Sequence, residues 1–318
     1  MKKMFKLLTV AILLTSMTAC NQNPSGKKTS DAKETSLATT EVKETNTPFK
    51  EGVINIKITT PGSAIGELFQ KIDPSKGNTS KQMKEMAEKL SAKDKALIEA
   101  QGQKNGMLNL AILMLPVKSI LYVKGNQATA KFDAVTFHGE NYVDADKETG
   151  IVYAKSQNSA NDITIRYTGD SFTKMNTNEL NSKDYDIVNT TETENVAGYA
   201  CKKAEYTLKN AAKAQKTESG VTGPSGTVYK IDVWTSEQMP KSLNFLHPLY
   251  VKENAGIMKL LIQYEKNSDF KVLYEFSSVE SRPVTAAEMA IKQNKKVYDF
   301  GKDQMTVGMK MLGVVFGM

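Results

Sequence analysis

Two cysteines and two histidines, Cys20, Cys201, His138 and His247, carry all the thiol and imidazole chemistry of this 318-residue chain. A catalytic metal site usually takes three protein ligands, and neither an HExxH nor a CxxC spacing occurs. No GxSxG elbow presents a serine, although a Ser-His-Asp triad need not leave a local mark, since its members can be far apart in sequence. Gly220-Val-Thr-Gly223-Pro-Ser-Gly226 lacks the Lys-Ser/Thr ending of a phosphate loop and precedes a strand, so it reads as a flexible loop. Asp144, Asp146 and Glu148 sit at a turn without the full ligand run of a calcium loop. His247, before Pro248, reads as a loop residue. The expectation is a protein with no catalytic residue, no metal and no cofactor, and not an enzyme.

The two cysteines differ in kind. Cys201 lies in an alternating segment and reads as a small buried strand residue. Lys202 and Lys203 follow it, but a strand sends neighbours to opposite faces, which is a weak setting for a reactive thiol. Cys20 closes MKKMFKLLTVAILLTSMTAC, where Lys2, Lys3 and Lys6 precede the apolar run Leu7 to Leu14. That is a secretory signal with small residues at its cleavage site. It resembles the bacterial lipoprotein signal, which implies residues 1–19 are a signal peptide and Cys20 the lipidated first residue of the mature chain. The apolar run is too short for a spanning helix, which needs roughly 20 residues. With Cys20 lipidated, Cys201 has no partner for an internal disulfide. Asn21 after the cysteine points, by a known sorting rule, to an outer-membrane anchor facing the periplasm.

Behind the anchor, residues 20–49 form the next unit. From Asn21 to Pro48 there is no aromatic residue and much Ser, Thr, Lys and Glu, so the segment cannot offset its ordering entropy by burial. It reads as a tether with an end-to-end distance of about 30 Å. The formal charge of +7 falls by three to +4 once Lys2, Lys3 and Lys6 leave with the signal. The remaining cations are scattered, and nucleic-acid binding, which needs a clustered basic face, is not expected. At 40% hydrophobic and 24% charged residues, the remainder is globular.

The body is read from period. Ile54, Ile56 and Ile58 alternate with Asn55, Lys57 and Thr59 as in a strand with one buried face. Period then changes. Ile65, Leu68, Phe69 and Ile72 follow a helical spacing after Ser63, a candidate N-cap, and a second helix after Ser80 aligns Met83, Met86, Ala87 and Leu90. Ser91 to Asp94 has the spacing of a capping box for a third helix. MLNLAILML, from Met107 to Leu115, is apolar on every side and must be covered or itself cover something. From Val117 the period returns to two, through KSILYVKG, QATAKFDA, VTFHG, ENYVDAD, IVYAKS and NDITIRYTG. It continues through a pair of strands joined at Val196-Ala-Gly198, then TVYKIDVWTSEQMP, GIMKLLIQYEK and DFKVLYEFSSVE. In the Trp strand, Tyr229, Ile231 and Val233 face one way and Trp234 the other. Residues 282–318 read as a helical tail that starts with a capping box from Thr285 to Glu288. The fold class expected is α+β, mainly β. About ten strands form one large curved antiparallel sheet over residues 50–281, with a helical insertion at 63–115 and C-terminal helices.

VAGYACKKAEYTL, VYKIDVWTSEQMP, LNFLHPLY and the final pair of strands resemble a domain of unknown function in secreted bacterial lipoproteins. There a glycine turn, a cysteine strand and a tryptophan strand recur in this order. The likeness spans residues 51–280 and is strongest over 187–264; it brings no catalytic residue. More distantly, a strand-rich body with inserted helices is similar to the Lol lipoprotein carrier and receptor superfamily, where helices plug the concave apolar face of a half-barrel. The remaining signal is methionine, an adaptable apolar side chain. Gap-filling in the core is the plainer reading. The functional one is an apolar cavity lined by Met83, Met86, Leu90, Met107, Leu110, Met114, Trp234, Met305 and Met309. Two expectations follow: a protein anchored to the membrane by its lipid that binds a lipid or other apolar small molecule, or an interaction module of a cell-envelope complex with a protein partner and no small ligand.

Overall fold

The structure is a computed structural model and describes residues 47–104, 115–169, 171, 180–210, 228–247, 251–264, 266 and 271–317. Its centre is one open twelve-stranded sheet, a half-barrel, whose strands follow the period-two stretches. In chain order they are β1 (Glu51–Thr59), β2 (Pro116–Lys124), β3 (Gln127–Ala134), β4 (Phe137–Asp144), β5 (Thr149–Ser156), β6 (Asp162–Thr168), β7 (Tyr185–Val196), β8 (Tyr199–Leu208), β9 (Lys230–Ser236), β10 (Gly256–Gln263), β11 (Lys271–Ser281) and β12 (Val297–Asp299). The spatial order is β12-β6-β5-β4-β3-β2-β1-β11-β10-β9-β8-β7. Every pairing is antiparallel except that of β12 with β6. Among the described residues the α-helices are α1 (Ala64–Phe69), α2 (Thr79–Glu88), α3 (Ala92–Lys104), α4 (Ala286–Met289) and α5 (Gln304–Phe316).

Two strands depart from the expectation of about ten. VTFHG and ENYVDAD are one strand, β4, which runs through Gly139. A β-carbon there would run into the ring of Phe132, its partner on β3, so the aromatic occupies the space of the missing side chain. The ring of Tyr167 covers Gly150 in the same way on β5, and its hydroxyl donates to Asn141 Oδ1 at 2.7 Å. The second departure is β12, three residues too short to show a period.

Register defines the two faces of the sheet. One carries a row from Ile58 through Tyr274, Leu260 and Val233 to Ala204, each opposite the next across neighbouring strands. On the other side of β1 the same face continues from Ile54 through Leu121, Ala130, Asn141 and Val152 to Ile165. All of these residues are buried. Two covers lie on this apolar face: α5, which packs Val307, Met311, Val314 and Val315 into one core cluster with residues of β4 to β6, and the segments around α1 and α2 with Met239, Leu243 and Val251, which join the other.

The C-terminal segment reaches that position by passing over the opposite face. Thr129 of β3 donates to the Met289 carbonyl (2.7 Å), Glu140 of β4 accepts from Lys292 N (2.7 Å), and Thr164 of β6 accepts from Asn294 N (2.8 Å). Those three strand residues are buried beneath it. The chain then lines the edge of β6 as β12, and α5 lands on the apolar face. The tail is thus a strap that clasps the sheet around one edge. Of the two expected capping boxes, the one from Thr285 to Glu288 is complete, while at Ser91 the hydroxyl accepts from Asp94 N and donates to the Asp94 carboxylate, which does not return a bond to the Ser91 backbone. Thr285 Oγ1 accepts from Glu288 N while the Glu288 carboxylate accepts from Thr285 N, and Ser91 and Ser63 cap α3 and α1.

At Gly139 the fold makes a direct demand. Gly139→Val is expected to destabilise the protein by about 1–3 kcal/mol through overpacking against Phe132, measured by urea unfolding. An unchanged midpoint would refute the aromatic–glycine contact.

Candidate functional site

The candidate site is the apolar face of β1 and β8–β11 together with its cover. Strand alternation alone accounts for the floor: Ile54, Ile56 and Ile58 are buried while Asn55 and Lys57 are exposed. The cover is assembled from short pieces. Phe69 of α1 and Ile72 just after it belong to the core, and Ile65, Met83 and Met86 pack on it half-buried. Gln70 Nε2 donates to the Ile58 carbonyl and Thr79 Oγ1 to that of Val135, pinning the insertion to the sheet. By contrast the residues of α3 up to 100 are exposed apart from half-buried Ile98, Leu97 included.

A second part of the cover is the 3-10 helix Lys241–Leu246, with Leu243 buried. Asn244 fixes it by accepting from Ile257 N (2.8 Å) and donating to the Ala255 carbonyl (3.0 Å). His247 then turns inward. Its ring stacks on Phe276 (centroids 5.5 Å apart) and meets the edge of Tyr274 (5.0 Å), and Nε2 lies 2.9 Å from the Ile257 carbonyl. Nε2–H therefore donates, and Nδ1 is left as a buried acceptor with no hydrogen-bond partner. Burial pulls its pKa down to about 4, so the ring is neutral at physiological pH. His247 is not the loop residue expected from Pro248; it is part of the interior.

Of the residues expected to line a cavity, the structure brings Met83 and Met86 to this cover, with Leu90 half-buried just past α2. Met107, Leu110 and Met114 lie outside the described residues, as do Cys20, the signal and the tether up to residue 46. At the expected end of the tether Phe49 is instead buried in the core, its N–H donating to the Gln238 carbonyl at 2.8 Å. Three others are corrected. Trp234 is buried in the same core cluster, but on the side of β9 opposite its neighbour Val233, where register pairs it with Lys203 and Lys259. Met305 and Met309 are 70% and 58% exposed: α5 turns Val307, Met311 and Val314 to the sheet and these two away from it.

Around Trp234 the sheet rolls up. β7 comes back against β11, four places away in the strand order, and Lys259 of β10 reaches Glu194 of β7 at 2.6 Å. The indole is 7% exposed, with Lys259 Nζ 4.4 Å and Lys203 Nζ 5.5 Å from a ring centroid. Lys203 in turn bonds Glu205 (2.8 Å) and Glu192 (3.0 Å), which hold its ammonium well above the usual lysine range. The charges of this cluster satisfy one another. Cys201, on the neighbouring strand, is 1% exposed, and burial pushes its thiol up to about 12. It is a protonated, enclosed residue, as its place in a strand suggested.

Under the strap lies a cluster that sequence reasoning passed over. His138 Nδ1 is 2.8 Å from Asp133 Oδ1 and Nε2 is 2.9 Å from Glu140 Oε1. Both ring nitrogens face carboxylates, an arrangement that favours the imidazolium, in which both donate. The bond to Asp133 raises its pKa most; burial opposes and Glu140 adds to the rise. Burial works to raise the Glu140 carboxyl, but His138 and then Lys292 outweigh it and hold it below the usual range. A signal was present: His138 and Glu140 are two apart in a strand and must share a face. Among the described residues no group of three or more His, Cys, Asp or Glu is arranged to hold a metal ion, and no helix is long and apolar enough to cross a membrane.

No protein-family model and no curated protein matches this chain. Similar solved structures include PNGF-II in two space groups. The first, at 11% identity and a TM-score of 0.36, aligns with 81% of this chain and 34% of that one. The second, also at 11%, has a TM-score of 0.29 and covers 59% and 30%. The chain thus spans about a third of the PNGF-II length. A third, a domain described as an outer membrane lipoprotein-sorting protein from Vibrio parahaemolyticus, has 8% identity and a TM-score of 0.15, covering 76% of this chain and 89% of that one. TM-scores of this size are too low to bear on what the present chain does.

Two measurements follow from these environments. The His138 contribution is complete below its ordinary 6.5 and is lost as pH rises through the elevated folded value; that of Glu140 is present above 4.5 and is lost as pH falls. His138→Asn should therefore cost about 1–2 kcal/mol near pH 6, and the deficit should shrink as the pH is raised to 9. A deficit independent of pH in paired melting curves would contradict the imidazolium. Cys201 should resist Ellman's reagent in native protein and react in full once urea unfolds the chain. Rapid native labelling would place the thiol elsewhere.

Proposed function

We propose that this chain is a lipid-anchored protein of the cell envelope, facing the periplasm from the outer membrane, that holds an apolar molecule between its sheet and the helical insertion. The observation that carries the reading is the pairing of a continuous apolar floor with a cover that touches it through half-buried Met83 and Met86. Flexible thioether chains can repack around different apolar shapes. They give a cover able to rise over an acyl chain without breaking the sheet's hydrogen bonds. The buried acceptor His247 Nδ1 offers a polar end of such a molecule, a hydroxyl or a protonated carboxyl, something to donate to. The proposed role is binding and not catalysis, and it uses no cofactor. Membrane attachment in this reading comes from Cys20, on the strength of the signal that precedes it.

The alternative, a module of an envelope complex without a small ligand, draws on a different observation. β7 is an outer strand with Ile187 and Val188 exposed at 44% and 58%. An outer strand of this kind can accept another strand from a partner.

The chain spanning residues 21–318 separates the two. Titration with cis-parinaric acid should give saturable fluorescence enhancement. The double exchange Met83→Glu and Met86→Glu should weaken that binding at least tenfold while leaving the far-ultraviolet circular dichroism intact. Binding that is absent, or indifferent to both substitutions, would leave the complex-forming alternative. Anchoring is tested separately: radioactive palmitate should label the full chain in cells and not its Cys20→Ala form.

A further inference from the structure

α5 has two apolar faces where one suffices to bind it to the sheet. At about 100° per residue, Met305, Met309, Leu312 and Phe316 fall within an arc of about 60°, opposite Val307, Met311 and Val314. The second group is buried, whereas Met305, Met309 and Phe316 are 70%, 58% and 41% exposed and Leu312 is half-buried. Seven large apolar side chains are exposed among the described residues, and four of them, Val297 with these three, lie within twenty residues of one another at the end of the described chain. Chance scatter of surface hydrophobics does not concentrate them on one stripe.

The charges beside the stripe are of one sign. Lys302 precedes the helix, Lys310 lies on its flank, and Lys295 and Lys296 lie on the strap, all four exposed. Lys296 and Lys310 both hang over the ring of Tyr298, at 4.7 and 5.6 Å, which brings the strap and helix cations together. Between Ala290 and Gly317 the acids are Asp299 and Asp303, and both are engaged. Asp299 pairs with Arg166 (3.6 Å) and accepts from Gly301 N, while Asp303 Oδ2 accepts from Asp299 N.

We infer that α5 docks the folded domain on a bilayer surface that carries anionic phospholipid, with Met305, Met309 and Phe316 entering the interface and the lysines meeting the headgroups. Three side chains at these exposures offer on the order of 300 Å², taking about 200 Å² for each. A stable contact with a second copy needs about 800 Å² per partner, and it would set the same lysines against each other. A lipid surface needs no matching partner: a short helix with an apolar stripe and flanking cations lies in the interface plane. This contact goes beyond the proposed ligand binding and does not depend on it. It is also separate from the acyl anchor, because it is made by the domain itself.

The test uses residues 21–318, which keep every described residue and lack Cys20. In flotation assays at low salt, the protein should partition onto vesicles containing about a third phosphatidylglycerol at least tenfold more than onto pure phosphatidylcholine, and added salt should release it. Met305→Glu together with Met309→Glu should abolish flotation without lowering the melting temperature, since both positions are more than half exposed. A Met309→Cys variant, labelled with an environment-sensitive dye while Cys201 stays buried, should shift to the blue on anionic vesicles only. The inference fails if the parent does not float on anionic vesicles, if the double variant floats equally well, or if the dye does not shift. It also fails if the parent self-associates with concentration and the double variant does not, which would assign the stripe to a second copy. Retained parinaric-acid binding in the double variant would show that losing this surface leaves the ligand reading untouched.

Discussion

A sheet face whose buried, mostly apolar row runs across ten strands, from β8 to β6, cannot face water, and that constraint organises the rest of the molecule. Burial stabilises by about 25 cal/mol per Å² of apolar surface, so each uncovered strand costs heavily. No helix among the described residues, the longest of 13 residues, is long enough to shield the whole width. The chain therefore covers the face in pieces taken from distant parts of the sequence: α1 and α2 after the first strand, the 3-10 helix and His247 between β9 and β10, and α5 at the end. Each piece is short and has its own polar fastening. Gln70 and Thr79 hold carbonyls of the sheet region, Asn244 holds both polar groups of the β10 approach, and Asn161 donates to the Gly313 carbonyl of α5.

The opposite face meets a different problem at each end. Toward β6 it is crossed by the strap, which lies over buried Thr129, Glu140 and Thr164 and so must supply a hydrogen-bond partner for each. The imidazolium of His138 belongs to the same solution, since it compensates the charge of Glu140 where water is largely excluded. β12 then occupies the edge that β6 would otherwise leave open. Toward β7 the sheet rolls on itself and encloses Trp234 between lysines. There the outer strand carries a register shift between Asn189 and Thr193 together with several charged residues, devices that blunt an edge. Cys201 is thus enclosed by burial, His138 is held by two carboxylates, and His247 is seated on the aromatic floor with its Nδ1 left as an acceptor.

Much of the architecture was legible because its signals are local. Ile54, Ile56 and Ile58 announced a strand and its buried side. Ser63, Ser91 and Thr285 announced helix starts, and each accepts the backbone bond that a cap requires. Eleven strands stand where alternation placed them, with β4 mistaken for two because Gly139 looked like a break. The candidate site was legible only in part. Met83 and Met86 reach the cover, but Trp234, Met305 and Met309 do not, although all are apolar and the spacing of each was read correctly. Period tells which residues share a side; it does not tell what lies against that side.

The sequence by itself determined the class of fold, the buried side of strands such as β1 and the caps Ser63, Ser91 and Thr285, because these depend on interactions within a few residues. The cap of α2, Asn78, was not among them, since that helix was expected only after Ser80. Only the tertiary structure decided that the tail passes over one face and returns on the other, that β12 pairs with β6, and that His138 sits between two carboxylates under the strap. It also decided that Met305 and Met309 face outward. The path of the tail turns on contacts between residues more than a hundred positions apart, such as Glu140 with Lys292 and Thr164 with Asn294, which also lay the strap over the local His138 cluster. Such contacts form only when the register of the intervening strands brings the partners together, and no local pattern records that register in advance.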